Sequence, residues 1–144
     1  MTLRPRSIEA RLRRLQGVAR RLRGYRTLGR VRIEGDEDLQ WALERGLHLG
    51  CEILLDVGNH VLAGAFGRTT ETYEQILEAL EAEGVITPRL RGALGGLGGF
   101  RNVLVHDYLD LDMDRVFAAL ETAPERLETF AGELHAWLAR RPTP

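Results

Sequence analysis

The chain has 144 residues, 44% of them hydrophobic, which suits a single domain over residues 1–144 with one packed core. No uninterrupted apolar run reaches the roughly 18 residues of a bilayer span, and the opening MTLRPRSIEARLRRLQ lacks the apolar stretch of a secretory signal, so a cytosolic protein without membrane contact is expected. A lone cysteine, Cys51, excludes an internal disulfide and a cysteine-based zinc cluster; stability must come from packing, and redox chemistry is not expected.

The net charge of −1 hides an asymmetry: residues 1–33 hold 11 arginines and one acid, whereas residues 34–144 hold 9 arginines and 20 acids. A cationic segment of this kind either attracts phosphate groups or an acidic partner, or lies against the acidic remainder of its own chain, and charge alone does not choose between them. All twenty basic residues are arginine, a bias that genome composition or growth at high temperature can produce and that says little about function.

From Ser7, Ile8, Leu12, Leu15, Ala19 and Leu22 follow one another at spacings of three and four, one apolar stripe on a first helix whose other faces carry arginine. Asp36 or Asp38 caps a second helix with Leu39, Leu43, Gly46, Gly50, Ile53, Val57 and Val61 along its stripe, ending near Gly64. Gly46 and Gly50, one turn apart, leave space for a neighbouring helix to approach. Thr70 precedes a third helix with Tyr73, Ile76, Leu77 and Leu80 inward and Gly84 as its stop.

Thr87 and Pro88 read as cap and first position of a fourth helix. Gly92, Gly95, Gly96, Gly98 and Gly99 then weaken it, each by about 1 kcal/mol relative to alanine. Close helix–helix contact, within the chain or across a subunit interface, is the preferred cause, and a loop is the alternative. Beyond a turn at LDLDMD, Asp114 caps a last helical region carrying Val116, Phe117, Leu120, Leu127, Phe130, Leu134 and Trp137, which Pro124 divides in two. With no period-two strand and no repeat, the chain reads as an all-α antiparallel bundle of about five helices.

Three acidic or histidine-bearing clusters invite a metal reading and are better explained otherwise. Asp110, Asp112, Asp114 and Glu121 occupy calcium-loop positions, but the obligatory glycine is replaced by Arg115, so helix capping is preferred. His48, Cys51 and Glu52, and likewise Asp56, Asn59 and His60, are helical neighbours without an established ligand pattern. Hydrogen bonding to a partner helix is the preferred reading for both, and Asp56 with His60 can help shape a groove. No metal or other cofactor is expected.

The stretch GGFRNVLVHDYLD over residues 98–110 sets Arg101, His106 and Tyr108 close together. At about 100° per residue, His106 lies about 140° from Arg101 and Tyr108 within about 20° of it. Arg101 and His106 therefore face apart on a regular helix. They meet at one substrate only if the helix ends or distorts near Val105, or if a second copy of the chain completes the pair. The competing structural reading pairs Arg101 with Asp107 or Asp110 and leaves His106 and Tyr108 as packing groups.

The run Arg101, Asn102, Val103 to Val105, His106, Asp107, Tyr108 resembles the motif of the HEPN superfamily, most closely the HepT-like toxins of HepT–MntA toxin–antitoxin systems. ALERGLHLGCEILLDVGNHVL and ILEALEAEGVITPRL are similar to the segments around that motif, so the likeness spans roughly residues 36–120. It implies an all-α, HEPN-like fold and a metal-independent endoribonuclease acting on RNA as a homodimer or a higher assembly of dimers. Arg101 and His106 would be catalytic and Asn102 supporting. An imidazole can accept a ribose 2′-hydroxyl proton near neutral pH, and a guanidinium can bind the scissile phosphate and stabilise its growing charge. The resemblance also implies an MntA-like nucleotidyltransferase antitoxin as partner, transferring AMP from ATP to Tyr108 and so placing negative charge where RNA must bind. The alternative is a HEPN binding module that pairs with such a nucleotidyltransferase without cutting RNA.

Overall fold

The computed structural model describes residues 2–107 and 109–142; Tyr108, the expected modification site, lies outside the described residues. Seven helical segments follow in order: α1 Pro5–Leu28, α2 Arg30–Glu34, α3 Glu37–Phe66, α4 Tyr73–Ala82, α5 Pro88–Ala93, α6 Leu97–His106 and α7 Met113–Arg140. Five of them have ten residues or more, and no strand occurs among the described residues. The all-α bundle and its main elements agree with the sequence reading.

Local chemistry explains most boundaries. Pro5 opens α1, where a missing N–H costs nothing. The Asp36 side chain accepts the N–H groups of Asp38 and Leu39 to start α3. Thr72, rather than Thr70, caps α4 in a reciprocal capping box with Gln75, and Thr87 accepts the Leu90 N–H to begin α5. The short α2 was not anticipated; Gly29 separates it from α1 at φ +86°, a conformation that side chains with a Cβ rarely adopt.

The α1 stripe is as expected: Ile8, Leu12, Leu15, Ala19 and Leu22 are buried, joined by Val18. On α3 the buried set is broader than one stripe. Leu43, Gly50, Val57 and Val61 are buried, but so are Leu47, Cys51, Leu54, Leu55, Gly58 and Leu62, while Leu39, Gly46 and Ile53 are only half-buried. The cause is position, because α3 is touched by α1, α2, α4, α6 and α7. By length and composition α3 would suffice to cross a bilayer; here its buried side faces those neighbouring helices.

The glycine pair on α3 works as expected: a Cβ at Gly46 would lie 3.1 Å from Leu22 of α1, and one at Gly50 would lie 2.9 Å from Leu127 of α7. The fourth helix needs correction. It breaks into α5 and α6 at Gly96, which sits in the left-handed region at φ +83°. Of the glycine cluster, Gly98 makes the expected close helix–helix contact within the chain, since a Cβ there would come 2.6 Å from the Cβ of Tyr73 on α4, whereas a Cβ at Gly92, Gly96 or Gly99 would meet nothing within 4 Å.

Two expectations for the C-terminal region are overturned. Asp112, not Asp114, caps α7, and Asp114 instead pairs with Arg30 at 2.5 Å. Pro124 does not divide the helix: α7 runs unbroken for 28 residues. A proline removes the N–H that would reach Leu120 and crowds that turn. The next carbonyl, Glu121, accepts a 2.9 Å hydrogen bond from Arg26 of α1, and the long α1–α7 contact holds both halves in line.

The charge asymmetry is met in part within the chain. Arg23 pairs with Glu128, Arg26 with Glu125 and Arg11 with Asp56, so the basic helix lies against acids of its own chain. Arg6, Arg13, Arg14, Arg20 and Arg21 on α1 remain exposed, with no ion pair among the described residues.

Candidate active site on helix α6

Helix α6 is thinly covered: Gly98 is its one buried residue, and Phe100, Val103, Leu104 and Val105 are half-buried. Gly98 lets the helix settle on Tyr73, which turns Arg101 and Asn102 towards the edge of α3 and α4. The helix remains regular through His106 and ends there, with Asp107 as its C-terminal cap. Arg101 and His106 therefore keep their separation of about 140° around the axis. The helix end does not bring them together, which leaves completion by a second copy as the route to a shared site.

Arg101 does not take Asp107 or Asp110 as partner. Its Nε donates to Glu52 of α3, its Nη1 donates to the Asn102 Oδ1 at 3.2 Å, and its guanidinium carbon lies 5.3 Å from the centre of the Tyr73 ring. The hydrogen bond to Glu52 raises the Arg101 pKa still further, so the group is permanently cationic. With 19% of its side chain exposed, it is fixed in direction yet open to a ligand. His106 is exposed at the helix end. Neither Glu52 as the partner nor Tyr73 as the platform was foreseen; 49 residues separate Glu52 from Arg101, beyond the reach of any local pattern.

The other singled-out groups have structural duties. Cys51 is buried, and burial above all pushes its thiol up to about 12, which makes it an inert core residue. His48 lies 3.5 Å from Glu52, and its Nδ1 accepts from Arg45 Nη1 at 3.2 Å. Asp56 joins Arg11 to His60, the latter at 3.4 Å, and with Asn59 and Thr70 these two line a shallow groove of about 280 Å³. A larger groove of about 520 Å³ lies between α3, α4 and α6, with Asn102 and Tyr73, both in contact with Arg101, in its wall.

The model of the HepT-like ribonuclease family matches residues 15–134. The chain belongs to that family. The HepT-like match reaches beyond residues 36–120 and takes in most of α1 and α7. Among relatives, the tRNA nuclease HepT of Aphanizomenon flos-aquae is 28% identical over 100 residues, 69% of this chain and 67% of its own. The YutE protein of Bacillus subtilis is 30% identical over 97 residues, 67% of each chain. The solved YutE structure superposes with a TM-score of 0.82 at 26% identity, covering 100% of this chain and 99% of that one. The tri-AMPylated Shewanella oneidensis HEPN toxin in complex with MNT antitoxin gives 0.73 at 24% identity, covering 90% and 95%, and supports the HepT-like fold alone.

Proposed function

We propose that this HepT-like protein is a metal-independent endoribonuclease toxin of a toxin–antitoxin system, with Arg101 and His106 from two copies lining one cleft. The observation that carries the reading is the presentation of the motif. Arg101 is anchored by Glu52 with its distal nitrogens near the surface, and His106 stands exposed at the end of the same helix. Between and beyond them, Val103 and Val105 are half-buried and Leu109 is 84% exposed, apolar surface that suits a second copy of the chain.

In this reading the His106 imidazole accepts the ribose 2′-hydroxyl proton, the 2′-oxygen attacks phosphorus as the bond to the 5′-oxygen breaks, and that oxygen takes a proton from water, giving a 2′,3′-cyclic phosphate. Arg101 binds the non-bridging oxygens and stabilises their charge in the pentacoordinate transition state. Asn102, bonded to Arg101, steadies the guanidinium. DNA resists because it lacks the nucleophile. Neutralisation follows from an MntA-like nucleotidyltransferase: the Tyr108 phenol attacks the α-phosphorus of ATP, pyrophosphate leaves, and the added nucleotide blocks the phosphate site.

The test is incubation of RNA in EDTA with the parent protein, Arg101→Ala and His106→Ala. Cleavage by the parent alone, with cyclic phosphate ends, is expected. An unmodified parent that binds the nucleotidyltransferase yet leaves RNA intact would instead identify a non-catalytic HEPN module. For the second half of the reading, the peptide containing Tyr108 should gain the mass of AMP after incubation with ATP and the nucleotidyltransferase, and Tyr108→Phe should not.

A further inference from the structure

The groove of about 520 Å³ beside Arg101 falls within the range of roughly 300–1,000 Å³ common to small-molecule sites. Its walls mix polar and apolar groups, and two of its lining residues, Gly98 and Gly99, carry no side chain. Gly99 lies on it, exposed, and a Cβ there would meet no atom within 4 Å. Asn102 belongs both to the groove and to the Arg101 cluster, and Tyr73 lies beneath the guanidinium while lining the groove. A ligand here would adjoin whatever Arg101 holds.

The hydrogen-bonding groups already engaged reveal what remains. One Glu74 oxygen accepts the Gly96 N–H at 3.1 Å and the other lies 3.6 Å from Arg91. The Thr72 hydroxyl accepts the Gln75 N–H, and the Thr70 hydroxyl donates to Asn59 Oδ1 at 3.3 Å. Because a guanidinium only donates, the Asn102 oxygen is the atom it engages, and the Asn102 NH₂ is left to other partners. The groups left unengaged among the described residues include the Glu71 carboxylate, which has no ion pair, the amide NH₂ groups of Asn59 and Asn102, and the hydroxyl protons of Thr72 and Tyr73.

The Glu71 carboxylate, sharing the groove with two amide donors and with the engaged Glu74, repels phosphate and suits a nucleobase edge. Guanine offers two adjacent N–H donors for a single carboxylate and a carbonyl oxygen for an amide donor. Uracil places a carbonyl on each side of its one N–H, so two acceptors would face the carboxylate. Resting on the ribonuclease reading above, we infer that this groove is a nucleobase subsite, selective for guanine, which holds the base next to the phosphate gripped by Arg101. Glu71 and Asn102 read the base edge, and Gly99, without a side chain, leaves room for the base.

Binding tests the inference independently of cleavage. Fluorescent single-stranded RNA pentamers, 2′-O-methylated so that they cannot be cut, carry guanosine, adenosine, cytidine or uridine at one position, and anisotropy gives each Kd. The parent should bind the guanosine oligomer about 10-fold or more tightly than the uridine one. Glu71→Gln should abolish that preference, and Gly99→Met should weaken binding of all four while its melting temperature does not fall below the parent's. Equal binding of the four bases by the parent, or a preference unchanged in both variants, overturns the subsite. So does a Gly99→Met protein that binds RNA normally but loses the nucleotidyltransferase, which would make the groove a protein-docking surface. Cleavage of the unmodified oligomers is scored separately. Cutting without guanosine preference refutes the subsite alone, and guanosine-selective binding without cutting refutes the nuclease reading alone.

Discussion

Arg101 of α6 donates its Nε hydrogen bond to Glu52 of α3, which fixes the direction of the guanidinium from a helix it does not belong to. The contact uses the nitrogen nearest the chain and leaves Nη2 free of protein partners among the described residues. A phosphate ligand thus meets an arginine that is already oriented, which lowers the ordering cost of binding.

Loss of Glu52 should therefore act on catalysis more than on stability. Glu52→Ala is expected to lower kcat/KM for RNA by about 10- to 100-fold, through misdirection of the guanidinium. Glu52→Gln, which keeps an acceptor for Nε, should recover most of it. The melting temperature should change little in either, because a half-exposed ion pair contributes little. Equal damage from both variants would contradict a positioning role.

Gly98→Ala should destabilise the protein by about 1–3 kcal/mol in urea unfolding. The new Cβ would sit 2.6 Å from Tyr73 Cβ, so α6 must lift away from α4. Alanine's advantage in helix propensity, about 1 kcal/mol, works in the opposite direction and is outweighed. Gly99→Ala has that advantage without a clash, and urea should show it to be at least as stable as the parent.

Acid should loosen the α1–α7 seam. Hydrogen bonding from Arg26 holds the Glu125 carboxyl down at about 2. A depressed carboxylate contributes stability that is fully present above its ordinary pKa and is lost as pH falls towards about 2. Solvent exposure of about half the Glu125 side chain keeps the effect modest. The expected readout is a melting temperature that falls less on acidification in Glu125→Gln than in the parent. Parallel curves would show the pair to be without influence.

The Cys51 thiol should resist alkylation in the native protein at neutral pH and react promptly in urea. It is 4% exposed and raised to about 12, so both access and thiolate are lacking. Stoichiometric labelling without denaturant would show that the α3 core opens far more readily than its packing implies.

Surface charge on α1 should divide into two classes. Arg13→Gln and Arg20→Gln, on the exposed face, are expected to leave stability within about 0.5 kcal/mol of the parent. Arg26→Gln should cost more, because it removes the ion pair with Glu125 and weakens the added hydrogen bond to the Glu121 carbonyl. Thermal unfolding of the three variants gives the comparison directly.

Much of the scaffold could be read before folding. The α1 stripe, the caps at Asp36 and Thr87, the stop at Gly84 and the Gly46–Gly50 approach all depend on neighbours within about one helical turn or on spacing along one face. Two departures from that reading arise where a distant element intervenes, and a third, at Gly96, is a local backbone turn. Asp114 gave up the cap of α7 because Arg30 lay opposite it, Pro124 was tolerated because α1 packs along the helix, and the fourth helix broke where Gly96 could turn.

The sequence by itself determined an all-α chain and the line of Arg101, Asn102 and His106 along one segment, because helix propensity, capping and side-chain order act over a few residues. Only the tertiary structure decided that Arg101 would take Glu52, that Gly98 would seat against Tyr73, and that a groove would open beside them. Those outcomes depend on where helices far apart in the chain cross, and crossing is set by the packing of the whole core rather than by any local pattern.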